Sequence, residues 1–286
     1  MKDNLNKDRE PETTSPPKGS NLKADVNGFT ICYDDLGTGE TPVIFIHGFP
    51  FDKSSWQPQL EYFKDTQRVI AYDIRGYGQS TSGKEVSSID LFATDLVKFM
   101  DTLKIQQAVV CGLSMGGYIL LNAQPRFPDR FKAFVLCDTQ CIPDSPEGKT
   151  KRQETITKIQ AGGLKEFADG FIQKVFCQNT LQTKTPLVER ITKVVLATSQ
   201  HTLTAGLTAL ANRLETCTSL AGFSVPVLVV CGREDTITPL VQSEFLHNHI
   251  TNSQLCIIDT AGHLSNLEQP EEFNKHLEEF LKSVNP

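Results

Sequence analysis

A chain of 286 residues is long enough for a sizeable core, and its 39% hydrophobic and 22% charged residues exclude a disordered chain or a membrane bundle. A formal net charge of -6 leaves no basic footprint for nucleic acid, and no apolar run approaches the length needed to span a bilayer. The expected partner is therefore a small molecule, with no nucleic acid and no stable membrane insertion, and oligomeric state is left open. The first residues, Met1 to Asp8, lack an apolar h-region, which argues against a secretory signal. Of the eight cysteines, Cys111, Cys231 and Cys256 lie in or at the end of apolar runs and are read as small buried hydrophobes. Cys137 and Cys141 are the closest pair, but no second Cys/His cluster accompanies them, so no metal is assigned. The expectation is reduced thiols in a cytoplasmic protein.

Along the chain, residues 1–20 are polar and charged, with Pro11, Pro16 and Pro17, and are expected to form a disordered tail. Phe29–Tyr33 is strand-like and leads into the turn Gly37-Thr38-Gly39. Val43–Ile46 is a continuous apolar run, the pattern of a parallel strand covered on both faces, and it ends at His47-Gly48-Phe49-Pro50. Val69–Tyr72 is the next strand, closed by Asp73 and the turn Arg75-Gly76-Tyr77-Gly78. Helical periodicity covers Ile89–Leu103 and precedes the strand Ala108–Cys111. Ala133–Leu136, Val225–Val230 and Leu255–Ile258 are further strands, with helices near 239–249 and over 270–281. This alternation predicts an α/β fold with a doubly wound, mostly parallel sheet. From about 140 to 219 the pattern is helical only (149–161, 164–176, 187–198, 203–214). That stretch is expected to be a lid inserted in a core of residues 21–139 and 220–286.

The strand Ala108–Cys111 ends in Gly112-Leu113-Ser114-Met115-Gly116, followed by helix-compatible residues. A serine on a strand–turn–helix elbow is held with its hydroxyl exposed above the sheet, and the flanking glycines avoid collisions with nearby backbone. Taken alone, the pentapeptide also fits an ordinary glycine-rich turn. A serine nucleophile needs a base, an orienting acid and oxyanion donors. Asp235 follows the strand ending in Cys231, and His263 follows the strand ending in Ile258, so both fall at C-terminal strand ends with Ser114. Glu234 and Asp138 are alternative acids. His201, His247, His249 and His276 fall in helical stretches and are weaker candidates for the base. Met115 N–H and Phe49 N–H are the expected oxyanion donors, with His47 a structural hydrogen-bonder. The turn Asp73–Ser80 is followed by Thr81 at the third glycine position of a dinucleotide fingerprint and is read instead as a charged brace for the site loops. No cofactor and no metal are expected.

Taken together, His47-Gly48, Asp73 to Ser80, Gly112 to Gly117, Gly232 to Asp235 and Gly262-His263 resemble the α/β-hydrolase superfamily over about residues 22–284. The resemblance implies the α/β-hydrolase fold with Ser114 as nucleophile, Asp235 as acid, His263 as base, Phe49 and Met115 as oxyanion donors and residues 140–219 as lid. Cys111 to Gly117 and His263 to Pro270 are similar to 3-oxoadipate enol-lactonases, whereas His47-Gly48-Phe49-Pro50 departs from the Ser-Asn-type loop common there. That loop is similar to epoxide hydrolases, but these and haloalkane dehalogenases carry aspartate where this chain has Ser114. The implied activity is hydrolysis of a small carboxylic ester or lactone through an acyl-enzyme. The alternatives are a carbon–carbon bond hydrolase (which commonly has Trp where this chain has Leu264), a cofactor-free perhydrolase, and a non-enzymatic ligand receptor of the same fold. Lys149, Arg152 and Arg213 are lid cations of a type that binds a substrate carboxylate, but most are read as solvated helix faces and none is assigned a role.

Overall fold

In the structure, a computed structural model that describes residues 18–284, short apolar runs become the strands of one eight-stranded sheet. An antiparallel hairpin of β1 (Gly19–Val26) and β2 (Phe29–Leu36) forms one edge. The strands β3 (Val43–Ile46), β4 (Val69–Tyr72), β5 (Ala108–Leu113), β6 (Phe131–Cys137), β7 (Val227–Gly232) and β8 (Ser253–Ile258) run parallel to one another. The spatial order is β1-β2-β4-β3-β5-β6-β7-β8, with β2 antiparallel to β4. This is the mostly parallel α/β sheet that the alternating pattern predicts.

Helices cover both faces: α1 (Gln57–Phe63), α2 (Ile89–Thr102), α3 (Met115–Arg126), then α4 (Pro146–Gln160), α5 (Leu164–Val175), α6 (Gln178–Thr183), α7 (Thr185–Ala197) and α8 (Gln200–Ala211) between β6 and β7. The chain closes with α9 (Leu240–His249), the short α10 (Ser265–Glu268) and α11 (Pro270–Val284). Because side chains alternate across a strand, Ile44, Ile46 and Val110 pack with Phe92, Leu96 and Ile119 on one face. Phe45, Val109 and Cys111 meet Trp56, Leu60 and Leu277 on the other. Full burial of each such side chain contributes roughly 1.5–3 kcal/mol. The central strands are thus held from both sides, and their C-terminal ends form a rigid platform for whatever loops follow.

Two expectations need correction. Gly19 and Ser20, expected within a disordered tail, belong to β1, and Lys18 pairs with Asp35 at 2.9 Å; residues 1–17 lie outside the described residues. The cysteines are not all reduced: Cys141 and Cys217 form a disulfide across 76 residues of sequence, while Cys32, Cys111, Cys137, Cys177, Cys231 and Cys256 are free thiols. The bridge joins the two points where the helical insertion leaves and rejoins the sheet, a proximity that only the fold creates.

Candidate active site

Strand β5 delivers Ser114 onto the first turn of α3 at φ 52° and ψ -109°. A non-glycine residue held there costs about 1–3 kcal/mol, so the surroundings must impose it. Ser114 N–H donates to Cys137 O at 2.9 Å, and Thr139 Oγ1–H donates to Ser114 O at 2.9 Å. Gly112 is required by close approach, since a Cβ there would stand 2.5 Å from backbone atoms of Gly116. Strand, turn and helix together hold the hydroxyl in one place.

The turns after β7 and β8 supply its partners. Ser114 Oγ–H donates to His263 Nε2 at 2.8 Å, and His263 Nδ1–H donates to Asp235 Oδ2 at 2.8 Å. Asp235 also accepts Ile237 N–H at 2.8 Å, Thr238 N–H at 3.1 Å and Thr238 Oγ1–H at 2.7 Å. Burial by itself would push its carboxyl up, but the imidazole and these donors hold it below its ordinary value. For His263, burial opposes the charge, and the attraction of Asp235 overrides it, so the imidazole sits above its ordinary 6.5. Such a series can pass a proton from a serine to an imidazole while a carboxylate stabilises the cation that results.

The loop after β3 lies against the serine. A Cβ on Gly48 would stand 3.2 Å from Ser114 Cβ and from Leu113 O, which places the Gly48–Phe49 backbone beside the hydroxyl. Met115 opens α3, where first-turn N–H groups have no intrahelical acceptor. His47 is buried and neutral: Nδ1–H donates to Gly48 O at 2.9 Å, Nε2 accepts Ile74 N–H at 3.0 Å, and burial lowers it to about 4. Asp73 accepts Lys53 N–H and Gln79 N–H, each at 2.8 Å, so the turn after β4 braces the loop after β3. Arg75 completes that brace with a two-point ion pair to Asp95 of α2.

Other candidates are not brought to the serine. Glu234 is exposed. Asp138 is buried beneath the Asp235 turn and bonds to Gly232 and Ser265 rather than to His263. His201 is exposed, His247 pairs with Ser253, His249 with Phe245 O, and His276 lies beside Glu272 and Glu279. Arg152 and Arg213 both bind Asp144, and Lys149 is exposed, so the two arginines are structural. Asp138, Cys231 and Asp235 stand within 4.8 Å of one another. They make a poor metal site: both carboxyls are already hydrogen-bonded, and burial pushes the Cys231 thiol far up, away from thiolate.

The sequence pattern of the alpha/beta hydrolase fold matches residues 41–270. The chain belongs to that family. Among similar alpha/beta hydrolases is 3-oxoadipate enol-lactonase 2 of Acinetobacter baylyi, 31% identical over 254 residues, spanning 88% of this chain and 93% of the relative. A thermophilic esterase from Thermogutta terrifontis has a structure matching at TM-score 0.88 and 32% identity, covering 93% of this chain and 99% of that one. The enol-lactonase from Burkholderia xenovorans LB400 matches at TM-score 0.85 and 28% identity, over 91% of this chain and 100% of that one. This alpha/beta hydrolase therefore resembles enol-lactonases and esterases.

Sequence reasoning missed the supports of the hydrolase site. Thr238 steadies Asp235 from three residues away, a spacing shared by many ordinary helix-start turns. Glu268 is buried and accepts Gly262 N–H at 2.7 Å and Cys177 N–H at 2.8 Å, while His263 N–H donates to Val175 O at 2.8 Å. The histidine segment is thereby fastened to the end of α5. A glutamate in Leu-Glu-Gln-Pro carries no local signal that it will be turned inward.

Proposed function

We propose that this chain is a carboxylic ester hydrolase that opens a small ester or lactone through an acyl-enzyme on Ser114. Ser114 Oγ attacks the carbonyl carbon while His263 Nε2 takes the hydroxyl proton. Asp235 stabilises the imidazolium, and Phe49 N–H and Met115 N–H hold the oxyanion of the tetrahedral intermediate. As the intermediate collapses, the carbon–oxygen bond to the leaving group breaks and His263 returns its proton to that oxygen. Water, deprotonated by the same imidazole, then attacks the acyl carbon, and Ser114 leaves with the proton as the acid is released.

The observation that carries this reading is the unbroken hydrogen-bond series from Ser114 Oγ through His263 to Asp235, with both links at 2.8 Å. The names of similar proteins, lactonases and esterases, support the substrate class. The insertion over residues 140–219 acts as the lid. Ring centroids of Phe167 and Phe171 on α5 lie 6.4 and 6.3 Å from that of Phe49, and the same two residues line a separate cavity of about 260 Å³ beside α4, whose lining includes none of Ser114, Asp235 and His263. Lys158 and Lys174 line the same cavity.

A panel of esters and lactones varied in acyl length and charge tests this function. Preference for carboxylated lactones places the chain with the enol-lactonases, and preference for short neutral esters places it with general esterases. Ser114→Ala should lower kcat by about a million-fold if the serine is the nucleophile. A folded protein that turns over no ester or lactone would favour a ligand receptor instead.

A further inference from the structure

One buried carboxyl beside this site has no part in the steps above. Asp138 leaves β6 at φ 46° and is fully buried. Its Oδ1 accepts Gly232 N–H at 2.8 Å, three residues before Asp235. Its Oδ2 is hydrogen-bonded to Ser265 Oγ at 2.5 Å, two residues after His263. Its own N–H donates to Val230 O at 2.8 Å, so the end of β6 is tied to β7 as well. One side chain thus spans the two turns that carry the acid and the base.

We propose that Asp138 is a positioning residue that clamps the Asp235 turn to the His263 segment, its carboxyl kept protonated so that Asp235 alone faces the imidazole as an anion. The proposal rests on the reading of Ser114, His263 and Asp235 as the catalytic triad. Oxygens of Asp138 and Asp235 lie within 4.8 Å, and two buried carboxylates that close do not both ionise readily. Donor count decides between them. Asp235 accepts from Ile237, from both groups of Thr238 and from His263, whereas the partners of Asp138 are Gly232 N–H and one hydroxyl. The anion belongs where the donors are. With the proton on Asp138 Oδ2, that O–H donates to Ser265 Oγ while Oδ1 keeps the Gly232 N–H.

The surroundings agree. Burial and the neighbouring Asp235 charge push Asp138 up to about 8, although Ser265 and Gly232 pull the other way. Facing it are Asp235 and Cys231 from β7 and its turn, His263 and Ser265 from after β8, and Cys137 from its own strand. Burial raises both thiols, so they add no charge near neutral pH. Asp235 and, once protonated, His263 are the charges Asp138 meets.

The test compares wild type, D138N and D138A as whole enzymes. An asparagine keeps both hydrogen bonds and has no proton to lose; an alanine keeps neither. D138A should lower kcat about tenfold to a hundredfold with KM nearly unchanged, as expected for misplaced catalytic groups. D138N should recover most of that loss and keep the acid limb of kcat/KM at the wild-type pH. Melting temperature gives a readout independent of turnover. The folded Asp138 holds its proton to about 8, whereas the unfolded chain releases it near 3.8, so wild type loses stability across that window and D138N does not. The melting-temperature advantage of D138N should therefore widen from about pH 4 to about pH 8. A difference that stays flat with pH overturns the protonated carboxyl. D138N as damaging as D235N, or D138A with full kcat, overturns the clamp. Should D138A fail to fold, Ser265→Ala removes one anchor alone and should give a partial loss of kcat; full kcat there counts against the clamp. Repeating the melting series in a Ser114→Ala background separates this proposal from the triad itself, whose failure would appear as turnover surviving Ser114→Ala.

Discussion

The ends of the parallel strands and the helical insertion between β6 and β7 are built to different specifications. Ser114, Asp235 and His263 sit on short turns of a sheet buried on both faces, and hydrogen bonds hold each of them in place. The insertion meets this site through Phe167 and Phe171 against Phe49 and through the backbone of Val175 against His263, and its arginines are committed to Asp144 rather than to the serine. On the proposed function, reaction chemistry belongs to the sheet and substrate choice to the insertion.

Breaking the sheet side should have the largest effect. Asp235→Asn leaves the packing intact but removes the charge that stabilises the imidazolium, and steady-state kinetics should show kcat down about ten-thousand-fold. Loss of the bridge at the base of the insertion ranks next. Replacing Cys141 and Cys217 by alanine frees a loop of 76 residues. Denaturant unfolding should then give about 2–4 kcal/mol less stability, with kcat little changed. On the insertion itself, Phe171→Ala removes a ring from the wall beside Phe49, and KM should rise about tenfold with kcat kept. The smallest effect is a shift in pH. With neutral His263 as the proposed base and its pKa raised, kcat/KM should climb with pH and reach half its plateau above 6.5. Asp235→Asn should move that midpoint downward. A midpoint below 6.5 in wild type would mean that Asp235 does not hold the imidazole as described.

The same contrast decides what could be read before folding. The strands β3 and β4 follow from uninterrupted apolar runs, since burial on both faces removes the polar alternation, and β5 leads directly into the serine turn. Ser114, Asp235 and His263 were legible because each lies at a strand end in an order with chemical meaning. β1 was missed: Leu22, Ala24 and Val26 alternate, but the charged residues before them masked the start of an edge strand. Helices α1 and α6, of seven and six residues, are too short to display a period. Asp138, Glu268 and the Cys141–Cys217 bridge act between segments far apart in sequence, so no local pattern announces them. The expectation of a cytoplasmic location leaned on reduced thiols, and the disulfide removes that support.

Ser114 is proposed as the nucleophile of an acyl-transfer site. Intact-protein mass spectrometry after exposure to a serine-directed phosphonate tests it most directly, with peptide mapping and parallel Ser114→Ala and Asp235→Asn samples. One phosphonyl group on Ser114 in wild type, slower labelling in Asp235→Asn and none in Ser114→Ala is the expected result. Labelling at another residue, or wild-type ester turnover by folded Ser114→Ala, would contradict it.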